Sequence, residues 1–170
     1  GGWQQSSLDA HSGRLVTPPQ GAQASGFPLM KHALASPCPC GSQLAYVACC
    51  GPYHEGVAAP GSAAALMRSR YSAYVVGIEA YLLATWHVST RPAQIDVDAA
   101  PTPKWLGLEV RRHVATAPDS ATVEFVARYR VAGRAHRLHE ISRFVREAGR
   151  WVYVDGEFPV AGGDPPAGRR

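Results

Sequence analysis

An α+β fold, with two helices packed on one face of a bent antiparallel sheet of about four strands, is predicted by three observations. A helical apolar spacing precedes the strands, four alternating segments follow it, and two Gly-containing turns separate three of those segments. A cluster of four cysteines stands in front of this unit and predicts a small metal-binding knuckle.

The chain of 170 residues is 46% hydrophobic, enough for one ordinary core plus an appendage but not for two full domains. Residues 1–35 are rich in Gly, Ser, Gln, Ala and Pro, with apolar residues at neither helical nor strand period, and are expected to be a disordered extension. Met30-Lys31-His32 reads as a conventional start just ahead of the cysteines. No apolar run reaches the roughly 18 to 20 residues of a membrane span, and 1–36 lacks the apolar stretch of a secretory signal, so the expected location is the cytoplasm. Thiols stay reduced there, which favours ligands over disulfides.

The cysteines form the pattern C-x-C-x8-C-C at Cys38, Cys40, Cys49 and Cys50. Pro39 and Gly41 suit a tight knuckle for the first pair, and the second pair can end a short helical turn. Four thiolates so gathered match a closed zinc site, one ion per chain, although a four-thiolate tetrahedron also accepts iron. Adjacent Cys49 and Cys50 are too close for an unstrained mutual disulfide, and the C-x-x-C of redox catalysis is absent. His54 is expected beside the site, not in it, because four thiolates already complete it.

Ser62 predicts the N-cap of a helix running to about Val76, with Met67, Tyr71, Tyr74, Val75 and Ile78 as its apolar stripe and Gly77 at its end. A shorter helix is expected from about Glu79 to Trp86. Pro92, Pro101 and Pro103 then exclude regular structure from the connection 89–103. Leu106, Leu108, Val110, Arg112 and Val114 alternate with Trp105, Gly107, Glu109, Arg111 and His113, predicting a first strand. Strands are also expected at 122–130, 135–146 and 151–155, with turns at Gly133-Arg134 and Ala148-Gly149. The tail 159–170 is Gly- and Pro-rich and reads as loose.

The run Cys38-Pro39-Cys40-Gly41-Ser42, a following aromatic and the Cys49-Cys50 pair resemble the SEC-C motif at the C-terminus of the SecA preprotein translocase motor. Beyond it, Ala65 to Tyr74, Thr85-Trp86-His87, Trp105-Leu106-Gly107-Leu108, Val123 to Tyr129, His139 to Phe144 and Gly149-Arg150-Trp151 are similar to the bacterial YchJ family. The resemblance implies a SEC-C knuckle over 36–56 joined to a nuclear transport factor two-like, or cystatin-like, cone over 61–158. Where the motif usually has Gly-Lys, this chain has Gln43-Leu44, which removes a positive charge beside the metal. The resemblance supplies no reaction, and no catalytic residue is assigned.

In such a cone the sheet and first helix can enclose a pocket, for which His87, Arg91, Trp105, Glu140 and Ser142 are the candidate lining residues. Glu140 and Ser142 share a strand face with Leu138 and Phe144, and Glu140 is expected to pair with Arg68, Arg70 or Arg128 in preference to acting as a base. His136 and His139 fall on opposite strand faces, and Tyr71, Tyr74 and Tyr81 are expected in the core or pocket wall.

The expected role is that of a metal-binding protein-interaction or chaperone-like accessory factor, with ribosomal or secretory partners by analogy with SecA. One rival is a small-molecule binder or enzyme using the cone. The other is a ribosome- or nucleic-acid-associated module, which would gather Arg68, Arg70, Arg111, Arg112, Arg128 and Arg130 on one face; the net charge of +4 is mild and spread out, and nucleic acid is not the favoured partner. The knuckle has little apolar content of its own, so it is expected to depend on metal while the cone folds without it.

Overall fold

The computed structural model describes residues 36–159, so the extension 1–35 and all of the tail but Pro159 lie outside the described residues. The first elements are a 3₁₀ turn at Tyr46–Ala48 and helix α1 at Gly51–His54, followed by α2 at Ala63–Val76 and α3 at Glu79–Ala84. Strands β1 (Lys104–Ala117), β2 (Ser120–Val131), β3 (Arg134–Glu147) and β4 (Arg150–Glu157) form one antiparallel sheet in the order β1-β2-β3-β4. The helices-then-meander reading therefore holds. No helix among the described residues is long and apolar enough to cross a membrane.

Helix α2 begins where Ser62 predicts it. The Ser62 hydroxyl accepts from the Ala65 amide at 3.1 Å, satisfying one of the orphan donors of the first turn, and Gly77 closes the helix in the left-handed region. The expected apolar stripe is only part of what α2 buries. Met67 and Tyr71 are buried as expected, but so are Ser69, Arg70 and Ser72, whereas Val75 is 37% exposed. The cysteine knuckle and its His54 cover the side that carries Ser69 and Ser72, while Arg70 is enclosed by α3, Trp86 and Tyr153. Helix α3 ends at Ala84, two residues short of Trp86. Trp86 leaves the helix to make an isolated bridge with Tyr153, and its ring meets that of Tyr153 edge-on at 4.9 Å.

In β1 the strict alternation breaks. Register shifts between Trp105 and Gly107, and again between Val110 and Arg112, insert extra residues opposite β2. Trp105, Leu108 and Val110 consequently stand opposite Tyr129, Ala127 and Phe125, so all three face the helices, and Leu106 is 49% exposed. A perfect two-residue period would have placed Trp105 on the opposite face from Leu108. The β2–β3 turn is also one residue earlier than expected: Val131 pairs with Arg134, leaving Ala132-Gly133 as the loop, with φ of 48° and 81°. A two-residue hairpin needs positive φ at both loop positions, so glycine belongs second; Ala148-Gly149, with φ of 47° and 77°, follows the same rule.

The main core lies between α2, α3 and the inner sheet face. Leu66, Leu82, Val123 and Phe144 are fully buried in it. Cys38, Cys40, Tyr46 and Cys50 make a separate small cluster within the knuckle.

Candidate metal centre and the cavity beneath the sheet

The knuckle is a short folded-back loop. The Cys38 amide donates to the Leu44 carbonyl at 2.7 Å, the Gly41 amide to the Cys38 carbonyl at 3.2 Å, and the Tyr46 amide to the Ser36 carbonyl at 3.0 Å. These bonds bring Cys38 and Cys40 to one side, while the 3₁₀ turn delivers Cys49 and Cys50 to the other. All four Sγ atoms lie within 4.8 Å of one another.

A tetrahedral ion about 2.3 Å from each sulfur would need its ligands about 3.8 Å apart. The Cys40 and Cys49 Sγ atoms are 3.5 Å apart, and those of Cys49 and Cys50 are 3.9 Å apart. With these two pairs near tetrahedral spacing and all four sulfurs within 4.8 Å, the donor set fits a closed four-thiolate metal site.

The electrostatics agree. Hydrogen bonds directed at it by Cys40 and Cys50 hold the Cys38 thiol well below the usual range. Cys50 is pushed far up, first by its hydrogen bonds to Cys38 and Cys40 and then by burial, and burial also raises Cys49. One thiolate can be stabilised by its neighbours, but further negative charge in this space requires a cation to replace the protons.

Outer contacts fasten the site to α2. Ser42 Oγ lies 3.1 Å from Cys49 Sγ, and the buried Ser72 Oγ lies 3.6 Å from Cys38 Sγ. Arg68 Nη1 donates to the Cys40 carbonyl at 2.8 Å. His54 is not one of the clustered ligands; it bridges the knuckle to the helix. Its Nε2 is 2.8 Å from the Ser69 carbonyl, which can only accept, so Nε2 carries the proton. Nδ1 of the neutral ring is then an acceptor for the Tyr46 hydroxyl at 2.5 Å, a phenol whose pKa burial pushes up to about 12.

Burial lowers the pKa of His54 below its ordinary 6.5. A depressed histidine pKa means that the unfolded chain takes up a proton first as pH falls, so the folded state loses stability from about pH 6.5 down through the folded pKa. The thermal midpoint of the wild type should therefore fall more between pH 7.5 and 5.5 than that of His54→Gln, in which only the cysteines and the remaining groups titrate. Parallel pH profiles for the two proteins would show that His54 does not carry this linkage.

Beneath the sheet a cavity of ≈ 150 Å³ opens between α2, the 95–103 connection and the inner faces of β1 to β3. Trp105, Glu140 and Ser142 line it, and so do Tyr71 and Tyr74. His87 and Arg91 fall outside it. His87 bonds Ser89 at 2.6 Å and Glu147 at 3.0 Å at the far end of the sheet, and Arg91 is exposed just beyond, because Trp86 turns the chain outward along β4.

Glu140 is 1% exposed and accepts at Oε1 from Ser142 Oγ (2.8 Å) and the Tyr153 hydroxyl (2.9 Å). Of the three arginines expected near it, Arg68 is turned to the knuckle and Arg128 pairs with Glu109 at 3.2 Å. Arg70 shares the cavity lining with Glu140, donates from Nη1 to Thr85 Oγ1 and the Leu82 carbonyl, and lies 4.7 Å over the Tyr153 ring. With Arg70 buried and Arg68 on the knuckle, the six arginines do not form a common surface. His136 stacks on Tyr129 and His139 bonds Glu124 at 2.8 Å, so they do not meet.

Sequence reasoning passed over Gly156. It pairs with Ser142 across β3 and β4, and a Cβ built on it would lie 2.0 Å from Glu140 Oε1. The glycine makes room for the carboxylate. It gave no signal in the sequence, because the expected strand stopped at 155, one residue short of it, whereas β4 runs on to Glu157.

Comparison with known proteins places these features in a family. Residues 62–156 match the YchJ middle NTF2-like domain. A UPF0225 protein of Methylibium petroleiphilum is 61% identical over 138 residues, covering 79% of this chain and 98% of the relative. One from Ralstonia nicotianae is 54% identical over 143 residues, covering 75% and 99%. Two solved SEC-C motif containing proteins are similar in fold, each with a TM-score of 0.64. The one from Rhodopseudomonas palustris is 32% identical over 73% of this chain and 99% of its own, and the one from Psychrobacter arcticus is 28% identical over 76% and 86%. A four-cysteine knuckle docked on an NTF2-like domain, with relatives of this identity and extent, makes the chain a member of the YchJ family, whose curated relatives carry the UPF0225 designation.

Proposed function

We propose that this protein is a zinc-binding accessory factor whose metal knuckle presents a contact surface to protein partners engaged with newly made or exported chains. The observation that carries the reading is the placement of Leu44 and Val47. Both belong to the knuckle, both flank the cysteine cluster, and they remain 54% and 44% exposed while the neighbouring Tyr46 is buried. A metal-held loop that keeps apolar side chains in water spends its order on something outside the chain. Leu44 also occupies the place where related motifs carry lysine, so the contact surface here is more apolar than its SEC-C counterparts.

Zinc is the proposed ion because four thiolates at tetrahedral spacing form a closed structural site that leaves no position open for catalysis. The partner class, ribosomal or secretory, rests on the likeness to the SecA motif.

The test is affinity capture of the tagged full chain from its own cytoplasm, with metal analysis of the recovered protein. About one zinc per chain is expected, together with a ribosomal or secretory component that disappears in a Leu44→Ser, Val47→Ser double variant still holding its zinc. A partner that binds the double variant as well as the wild type would remove the knuckle from the interaction. Iron in place of zinc would overturn the metal assignment.

A further inference from the structure

We infer that the cavity beneath the sheet is a binding site for a neutral, single-ring aromatic molecule bearing one N–H or O–H donor. Three features of the cavity set the ligand class. The first is size: about 150 Å³ is the volume of an apolar cavity that accepts one benzene-sized ring. The second is the wall. Trp105 is surrounded by tyrosines, with ring centroids 6.1 Å from Tyr74 and 5.4 Å from Tyr129, inclined at 46° and 49°. These tilted faces leave a slot suited to a flat π-system, which gains both from burial and from edge or offset contact.

The third feature is the floor. Arg70, Glu140 and Ser142 line the cavity and are 3%, 1% and 0% exposed. A guanidinium and a carboxylate bring opposite charges to the same small space, so a charged ligand would meet one like charge and lose its own hydration without net compensation. A neutral head avoids that cost. Ser142 donates its hydroxyl proton to Glu140, which leaves the Ser142 oxygen as an acceptor facing the cavity lining, and a ligand N–H or O–H is the group that matches it. The buried polar atoms of the floor already have partners within the chain, so a ring without such a donor is still admitted but forgoes the one additional bond that the Ser142 oxygen can accept.

The entrance has the same character. Ile95, Val97, Pro101 and Pro103 contribute to the lining from the connection that precedes β1, and Asp96 of the same segment is exposed, so its charge stays in solvent at the rim while the path to the floor is mainly apolar. Sites of this kind, apolar in most of their area and polar at one end, orient a ligand head-first. The metal knuckle takes no part, since it lies on the other side of α2.

The experiment uses the full, reduced, zinc-supplied chain and follows the indole N–H resonance of Trp105 during titration with phenol, benzamide, benzene, benzoate and benzylammonium. Saturable shifts with phenol or benzamide are expected, with affinity at least tenfold above that of the two ions and of benzene. Val131→Trp, which fills the cavity from its β2 side, should weaken phenol and benzamide at least tenfold. Ser142→Ala, which changes little in volume, should erase the advantage of phenol over benzene while benzene binding persists. Absence of a saturable shift with both neutral donors would overturn the proposal, as would equal affinity for the charged rings or undiminished binding in a folded Val131→Trp.

Discussion

Cys50→Ser is expected to release the metal and to unfold the knuckle while the sheet remains folded. Cys50 is 1% exposed and completes the four-sulfur cluster, and a serine hydroxyl is a poor substitute for a buried thiolate. The loss in metal affinity should exceed the roughly 10–100-fold that follows removal of an outer hydrogen-bond partner. The buried cluster of the knuckle consists of Tyr46 and three of the cysteines themselves, so little holds the loop once the ion is gone.

The consequences do not stop at the loop. The cone is expected to fold without the metal, yet Arg68, Ser69 and Ser72 of α2 all direct polar atoms at the knuckle or its His54 bridge, so it should fold with lower stability. Losing these three contacts, at about 1 kcal/mol each, should lower the midpoint of the main transition by roughly 10–20 °C without abolishing it. Hydrogen exchange by mass spectrometry would resolve the two parts: the Cys38 and Tyr46 amides should lose protection while β2 and β3 keep theirs. Loss of protection across the sheet would show that knuckle and sheet form one cooperative unit. An unaltered main transition would show that the contacts to α2 contribute nothing measurable.

Gly156→Ala is expected to cost on the order of 3 kcal/mol or more, a large effect for a single methyl group. The added Cβ would overlap Glu140 Oε1, Cδ and Cγ at 2.0, 2.5 and 2.7 Å, so the carboxylate would have to leave its place. Displacing it breaks the hydrogen bonds it accepts from Ser142 and Tyr153 at a position that is 1% exposed. Glu140→Gln provides the companion measurement. An amide keeps the shape, and its oxygen can still accept from Ser142 and Tyr153, but both bonds then end on a neutral acceptor, so a smaller loss of about 1–2 kcal/mol is expected. Denaturant unfolding of both variants beside wild type tests the pair. A Glu140→Gln midpoint at or above that of the wild type would mean that the buried carboxylate is kept for chemistry at a cost in stability, and the structural account of Glu140 would fail.

The cysteine cluster of the candidate metal centre was legible in the chain because all four thiols fall within positions 38–50, where local turns alone decide which atoms can meet. Helix α2 and its Ser62 cap, the four strands and the shared face of Leu138, Glu140, Ser142 and Phe144 were legible for a similar reason: capping and side-chain period are short-range rules. What failed was reading that needed distant partners. Trp105 changed faces relative to Leu108 through a bulge, and bulges answer to the curvature of the whole sheet. Ser69, Arg70 and Ser72 look like the solvent side of a helix until the knuckle and α3 cover them, and no periodicity records that a second body will dock there. His87 and Arg91 sit close to Trp86 in sequence, yet the bridge of Trp86 to Tyr153 carries them to the opposite end of the sheet from the cavity. The sequence by itself thus determined the donors, the element order and the buried strand face, each set by neighbours a few residues apart. Only the tertiary structure decided that Gly156 makes space for Glu140, that His54 ties the knuckle to α2, and which side chains enclose the cavity, because those depend on contacts between separate segments: His54 meets Ser69, Gly156 meets Glu140, and the cavity lining runs from Met67 to Ser142.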